Sequence, residues 1–548
     1  MSKTNKWLLL LIFISFLPLI VLFTTSSMPH TSDGVMHTIR FAAYYKEFMA
    51  GQFPVRWAHQ FHYGYGTVLF NFVAPLAYVV SLPFIAIGLP LTAILKISFA
   101  LTHIVGGVCM YLFGEKLFKS QKAAFVVALL YQFAPFRLVE MNVRGNLGSL
   151  YAYVLVPLLF FAILKMKDKV QYSSFVLTAL SVALLALSHT ILGYSFIALG
   201  ALFCLLFSKN IKALFIYMSA FLTGIALAAF FIFPALLEQK FTNGYLFSKD
   251  VYLDHFPAWY KFIIPNFFDS QALRVAEISV QIGLFHLLSF CILVYLLLAK
   301  KIKKSQRALV VFLIGITVVT FAFMQPIAKP LWEHIKLIRQ FQFPWRFLAI
   351  IVFTTTVGAG YVFVSLKKLT QKYVFIGLIF LIALSTLCYW RPTQGFDKPD
   401  ETLYWSYPLT TNYFSEVNSI WMGEEPTTYS SKKVEIIGRG AQITNVVYDS
   451  TRHSFTTTSL QKSMVIDHTF FFPGWKLKLD DKPAAIQFQD PHYRGLITFE
   501  VPPGTHKITV QFEQSKIQWL GNYVSLFTLL TLILFAPLKA LYKKIKRA

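Results

Sequence analysis

Charge is scarce in this chain: 14% of its 548 residues are charged, where soluble domains carry roughly a quarter. Together with 56% hydrophobic residues and a mean hydropathy of +0.58, that scarcity excludes an ordinary soluble globule. Cysteine is scarcer still. Cys109, Cys204, Cys291 and Cys388 all fall inside apolar runs, which excludes a disulfide framework in an exterior loop and a structural zinc site. No glycine-rich phosphate loop stands between a strand and a helix, so no nucleotide-binding fold is expected. The net charge of +25 does not point to nucleic acid either, because the basic residues sit in short clusters between apolar runs, where they orient helices.

What is abundant is long apolar sequence. Trp7 to Phe23, Ala213 to Leu237, Val280 to Ala299 and Tyr373 to Trp390 approach or exceed the ~20 residues a helix needs to cross a hydrocarbon core. By the positive-inside rule, cytoplasmic loops lie at Lys3/Lys6, Lys116 to Lys122, Lys165 to Lys169, Lys209/Lys212, Lys300 to Arg307, Lys367 to Lys372 and Lys539 to Arg547. One outward and one inward helix fit between neighbouring clusters. The parity closes with about twelve spans and places 26–67, 140–149, the vicinity of 189, 238–279, 326–345 and 391–518 outside. Thr24 to Ser27 after the first run mimic a signal-peptide end, but a retained first helix is favoured. The segment 68–90 breaks the parity if it crosses fully. It reads as re-entrant or interfacial, or else as a full span compensated by one long helix where 173–207 is divided at His189.

After Trp390, polar residues, Gly and Pro return. Val434–Ile437, Ser454–Thr458, Ser463–Phe472, Trp475–Leu479, Leu496–Val501 and His506–Phe512 are short, β-branched and aromatic, with turn signals such as Pro473-Gly474 and Pro502-Pro503-Gly504. The fold class is therefore an α-helical polytopic membrane protein with a C-terminal extracytoplasmic β-sandwich before the last span. The expected divisions are a transmembrane domain over 1–390, the β-domain over 391–518, and a final helix with a basic cytoplasmic tail over 519–548. Both termini are expected in the cytoplasm.

The first exterior loop concentrates ionisable groups: Asp33, His37 and Arg40, then Arg56 in "GQFPVRW". Spacings of four and seven residues put His37 and Arg40 on one helical face with Asp33. Such a carboxylate serves as a general base or holds a divalent metal, while a guanidinium neutralises a leaving phosphate. The alternative is that Asp33 caps the helix starting at Gly34 and the others are solvated. Arg144 stands at the outer end of a span, as a lipid-phosphate ligand or an interfacial anchor. His189 interrupts an apolar stretch, as a sugar or phosphate partner or a structural histidine; Glu238 ends a span, as a second acid or the first solvated residue. Arg339 and Arg346, at another outer boundary with Trp345, serve a lipid phosphate or, slightly favoured, an aromatic-belt anchor. Asp250, Asp254, His255 and Asp269 crowd together without a ligand spacing and read as a solvated loop. Trp475 and Phe470 to Phe472 serve a sugar ring or, more commonly, strand packing.

The stretch "SDGVMHTIRFAAYYKEFMAGQFPVRWAHQFHYGYG", followed by "FNFVAPLAYVVSLP", resembles the opening of a bacterial family of multispanning proteins named 6-pyruvoyl-tetrahydropterin synthase-related, similar to YfhO-type membrane proteins. The resemblance continues at Arg144-Gly145 in "MNVRGNLGSLYAYVLVPLL", at "LSHTILGY", "FPALLEQKFT" and "LWEHIKLIRQFQFPWRFL", and at "FFPGWKLKLDDKPAA" in the β-domain. It implies a GT-C-type glycosyltransferase that uses polyprenyl-phosphate sugars outside the cell, with the acid of the first exterior loop as catalytic group. That role falls on Asp33. The pterin name carries no weight, since the sequence has no arrangement of metal-binding histidines for pterin chemistry. One departure stands out: an acid is expected shortly after the Arg-Gly pair, and Ser149 is there.

The expected function is transfer of a sugar from a polyprenyl-phosphate donor to an envelope glycan or glycolipid acceptor at the outer face of the cell membrane. Asp33 and Glu238 are the candidate catalytic acids, and His37, Arg40, Arg56, Arg144 and His189 the candidate substrate ligands; no cofactor is required beyond an optional divalent metal ion. A lipid or polysaccharide transporter and a non-catalytic assembly scaffold are the competing classes. Transporters place ionisable residues near the bilayer midplane, whereas these charges gather at one outer face.

Overall fold

The computed structural model describes residues 5–244, 250–264, 278–411 and 415–545. Helices dominate as far as Trp390, and two antiparallel sheets follow. Among the described residues, eight helices are long and apolar enough to cross a membrane, and two bent pairs, Gln121–Gln132 with Pro135–Arg144 and Ile211–Leu227 with Ala229–Leu237, raise the count to as many as ten. The twelve of the basic-cluster parity require Tyr172–Ser188 and Leu284–Leu298 as well, which at 17 and 15 residues fall short of a ~20-residue straight span. His189 does divide 173–207: its backbone is extended between two helices. Leu76–Ala86, in the segment that broke the parity, has 11 residues and so covers only about 16 Å.

Burial sorts the helices. Within their apolar windows Pro344–Ser365 is 89% buried and Leu147–Asp168 78%, so these two form the centre, while Lys516–Phe535 at 11% lies on the periphery. The central helix Leu348–Ser365 is rich in Thr, Gly and Ala, which lets neighbours approach closely in a setting where water provides no hydrophobic drive between helices. Its Thr354 meets Thr317 at 2.7 Å, and its Thr355 meets His286 Nδ1 at 2.9 Å. The first helix packs into the bundle, with Ser15 bonded to Gln132. All four cysteines are free.

The segment after Trp390 runs back over the helices. Phe396–Asp397 pairs with Met28–Pro29, the Glu401 carboxylate accepts from the N–H groups of Leu91 and Thr92 at the start of Leu91–Phe118, and Lys46 donates to the Trp405 carbonyl at 2.5 Å. A carboxylate at a helix N-terminus satisfies orphan N–H groups and favours the dipole.

The C-terminal strands form two sheets. One orders Gln442–Tyr448, Arg452–Ser459, Gly504–Phe512, Trp475–Leu479 and Lys482–Ala484; the other orders Val434–Ile437, Ser463–Phe470 and Leu496–Val501. Every strand read from the sequence is present. The two not read, Gln442–Tyr448 and Lys482–Ala484, are exposed edge strands without a buried face to impose alternation. A buried pair, His453 Nδ1 to Asp467 Oδ2 at 2.6 Å, links the sheets. The β-region is fastened to loop 50–70: Trp57 meets Trp475 edge-on with centroids 5.3 Å apart, the Phe470 N–H donates to Tyr65 O, and Lys433 donates to Gly64 O and His468 O. Burial pushes the Lys433 amine down to about 8.

Candidate functional site

Two buried polar clusters contain the sequence-derived candidates. The first is built where residues 31–34 press against 143–146. Gly145, at φ +68°, ends the chain turn that follows Arg144, and a side chain there would strike Thr31 Oγ1 at 2.3 Å; Gly34 faces the same atom at the same distance. The close approach gives two backbone bonds, Ser32 N to Val143 O at 3.0 Å and Asp33 N to Arg144 O at 2.7 Å.

Asp33 occupies the N-cap position of Gly34–Met49, but its side chain makes no capping bond. Instead its Oδ2 accepts from Asn146 Nδ2 at 2.9 Å and lies 3.8 Å from Arg144 Nη2. Asn146 in turn caps Leu147–Asp168 through its Oδ1, which accepts from Ser149 N at 2.9 Å. Position 149 thus lies in the first helical turn, one residue contact away from Asp33. The acid near the Arg-Gly pair precedes it: Glu140 Oε1 receives Arg144 Nη1 at 2.6 Å across a π-helical turn, Glu140–Arg144, a distortion frequent at functional sites. The Arg144 guanidinium also lies over the Trp345 ring, 4.7 Å from its centroid.

His37 is fully engaged. Its Nε2 accepts the Leu147 N–H at 3.3 Å, so the proton resides on Nδ1, which faces Tyr78 Oη at 3.0 Å. On this helix outside the spans, burial and then Arg40 push the imidazole down to about 3. Arg40 donates to Thr411 through Nε to the hydroxyl at 3.0 Å and through Nη2 to the carbonyl at 2.6 Å. His189 holds a helix start, its Nδ1 accepting from Leu192 N at 3.3 Å, and its ring edge lies against Gly148.

Arg56 and Glu238 belong to a second cluster. Glu238, 1% exposed, accepts from Asn71 at 2.7 Å and Gln518 at 3.0 Å on Oε2 and from the Ser515 hydroxyl on Oε1. Arg56, 2% exposed, donates to Asn71, to the Phe230 carbonyl and to Asn522. This network ties loop 50–72 and the bend after Leu227 to the start of the last helix.

Five members of the first cluster were not among the sequence candidates: Glu140, Asn146, Tyr78, Arg346 and Glu416. Glu140 had a signal, the i, i+4 spacing from Arg144. Arg346, read as a belt anchor, bonds Phe341 O and Gln342 Oε1 at 3.0 Å each and lies over Phe343. Glu416 comes from the segment running back over the helices; burial holds its carboxyl above the usual range against the pull of Arg40 and Arg346. No spacing announces that neighbour. Of the crowded loop, Asp269 lies outside the described residues, and His255 packs on Phe343 with centroids 4.7 Å apart.

A divalent metal does not fit the first cluster. Among the described residues no three of His, Cys, Asp and Glu converge, and Asp33 and Glu140 both face a guanidinium that already takes a cation's place. What the arrangement offers is a buried carboxylate oriented by an amide, beside guanidinium groups suited to phosphate. Two small pockets lie elsewhere: one between Trp57, Asn418 and Phe471, the other between Pro135, Gly283 and Thr386.

No curated protein matches the sequence significantly. Among solved structures, the chain is similar to the arabinofuranosyltransferase AftD from mycobacteria, at 12% identity and a TM-score of 0.43 over 72% of this chain and 27% of that one. It is also similar to the archaeal oligosaccharyltransferase AglB from Archaeoglobus fulgidus in complex with an inhibitory peptide and a dolichol-phosphate, at 14% identity and a TM-score of 0.43 over 78% and 61%. The chain therefore spans about a quarter of AftD and three-fifths of AglB. Residues 70–393, well over half of the chain, match the family model described as the 6-pyruvoyl-tetrahydropterin synthase related domain of membrane proteins, and the protein belongs to that family.

Proposed function

We propose that this protein is a membrane glycosyltransferase that moves a sugar from a polyprenyl-phosphate donor to an envelope glycan or glycolipid acceptor at the outer face. The observation that carries the reading is the Asp33 carboxylate, free of helix capping and oriented by the Asn146 amide beside Arg144. Asp33 takes the proton of the acceptor hydroxyl as its oxygen bonds to the anomeric carbon. The bond from that carbon to the donor's phosphate oxygen breaks, and the phosphate leaves with the electron pair. Arg144, with Arg40 beside it, offsets the charge that gathers on the departing phosphate. His37 and His189 hold the helix starts that line the cluster, and the Glu238–Arg56 network holds the last helix against loop 50–72.

The architecture that accompanies this reading has twelve spans, counting Tyr172–Ser188 and Leu284–Leu298, both termini in the cytoplasm, a transmembrane unit over 1–390, and the two sheets of 391–518 as an outer sandwich facing the acceptor. The short helix Leu76–Ala86 lies within the outer half of the membrane, where neighbouring helices satisfy its backbone.

One observation favours the transporter class: among the described residues Arg137, 1% exposed, has no acidic partner and two unbonded guanidinium nitrogens. Its position between the Tyr131 and Tyr153 rings, with Nη2 on the Thr102 carbonyl, accounts for it as a packed cation–π core residue. Membranes carrying the wild type or Asp33→Asn, supplied with a radiolabelled polyprenyl-phosphate sugar, test the proposal. Transfer by the wild type and none by the variant is the expected result; no transfer by the wild type above membranes lacking the protein rejects the enzyme, and undiminished transfer by a well-inserted Asp33→Asn protein rejects Asp33 as its base.

A further inference from the structure

Arg346 has features that a belt anchor does not need. Its Nε is buried without a hydrogen-bond partner, although the same guanidinium is held in place by Phe341 O and Gln342 Oε1. A hydrogen-bond donor kept dry and unbonded costs about 1–3 kcal/mol and persists where something else uses it. Gln342, the residue that seats it, has φ +60°, a left-handed conformation that a side chain with a Cβ rarely adopts and that clusters at ligand clamps. Glu416, from a segment some seventy residues further along the chain, lies beside the same glutamine and faces Arg346 and Arg40.

The aromatic floor connects Arg346 to Arg144. Phe343 and Trp345 are stacked, with centroids 5.3 Å apart and 12° between planes, and each carries one guanidinium: Arg346 at 4.5 Å over Phe343 and Arg144 at 4.7 Å over Trp345. The cluster then counts three guanidinium groups, Arg40, Arg144 and Arg346, against three carboxylates, Asp33, Glu140 and Glu416. Glu140 is committed to Arg144, and Asp33 to Asn146 and Arg144. A phosphate entering this balanced set leaves an excess of negative charge unless one carboxylate withdraws or takes a proton. Glu416 is the one that, among the described residues, makes no ion pair at contact distance, whereas Asp33 and Glu140 both pair with Arg144, and burial disfavours its ionised form as well.

We propose that Arg346 is a second anion-binding group of the site, and that Glu416 is the resident anion whose place the phosphate of a lipid-linked substrate takes. The inference rests on the proposed glycosyltransferase reading and deepens it: the substrate phosphate bonds the Arg346 fork as well as Arg144, and Glu416 keeps the pair neutral in the free protein. The ligand chemistry is a lipid-borne phosphate, as monophosphate or diphosphate.

The full-length protein in nanodiscs, titrated with a short-chain polyprenyl phosphate, its diphosphate and the corresponding alcohol, tests this. Wild type binds a phosphorylated lipid more tightly than the alcohol, and preference for mono- or diphosphate names the source. Arg346→Gln weakens phosphate binding about tenfold or more while leaving alcohol binding unchanged. Glu416→Gln tightens it severalfold. Arg346→Lys, which keeps the charge and loses the fork, gives an intermediate loss and serves if Arg346→Gln does not fold. Wild-type phosphate affinity in both Arg346 variants overturns the inference and leaves the glycosyltransferase reading standing, and so does unchanged or weaker binding in Glu416→Gln for the role of Glu416. Conversely, a wild-type protein that transfers no sugar removes the enzyme reading while the phosphate site, read by binding alone, survives.

Discussion

The two buried polar clusters have similar inventories and differ at their carboxylates. Around Glu238 both carboxylate oxygens accept donors, and the partners come from four separated stretches of chain; one buried group of that network, Arg56 Nε, is left unbonded. Around Asp33 the bonding is incomplete: Glu140 Oε2, Asn142 Oδ1 and Arg346 Nε are buried and unbonded, on a π-helical turn and beside a left-handed glutamine. A structural network closes its valences because an open one is costly, whereas a site that receives a polar ligand retains groups that only the ligand completes. Two acids at helix ends, equivalent in the sequence, are separated by that difference.

The comparison can be broken first at Asp33. Asp33→Asn lowers sugar transfer by about 10³-fold with donor binding retained; an equal loss from Glu238→Gln at unchanged thermal stability merges the two clusters into one site. The next effect is on stability. Arg144→Gln strands Glu140 in the interior and costs about 3–5 kcal/mol, seen as a lowered melting temperature in detergent. The double variant Glu140→Gln/Arg144→Gln recovers most of that stability and none of the transfer, which separates charge burial from function. Glu238→Gln keeps a hydrogen-bonding side chain of the same shape beside Arg56 and costs about 1–2 kcal/mol, with the Michaelis constant for donor unchanged.

The smallest effect concerns pH. His37 has its folded value depressed to about 3 from 6.5, so the unfolded chain binds the extra proton between those values. Its contribution to stability is complete above pH 6.5 and is lost as pH falls toward 3. Thermal unfolding of wild type is therefore expected to weaken more steeply from pH 6.5 to 4.5 than that of His37→Gln; parallel curves refute the buried neutral imidazole.

Much of this was readable from residue types. Apolar runs and basic clusters indicate a helical membrane protein because lipid leaves the chain few ways to satisfy its backbone. The six strands after Trp390 were legible as short β-branched and aromatic runs between turn signals, whereas the exposed strand Gln442–Tyr448 has no buried face to mark it. Asp33, His37, Arg40 and Arg144 stand in recognisable places, and the resemblance joins them. The short helices Tyr172–Ser188 and Leu284–Leu298 show the reach of that reading, since run length does not reveal where a helix breaks.

By itself the sequence determined the solvent, the helical class, the family and the loop that carries Asp33, because these depend on composition and on local order along the chain. Only the tertiary structure decided which ionisable groups share a cluster. Glu140 joins Arg144 through a π-turn, Glu416 arrives from a segment far along the chain, and Glu238 and Arg56 withdraw into a closed network. Interactions over a few ångströms choose their partners in space, and sequence distance carries no record of that choice.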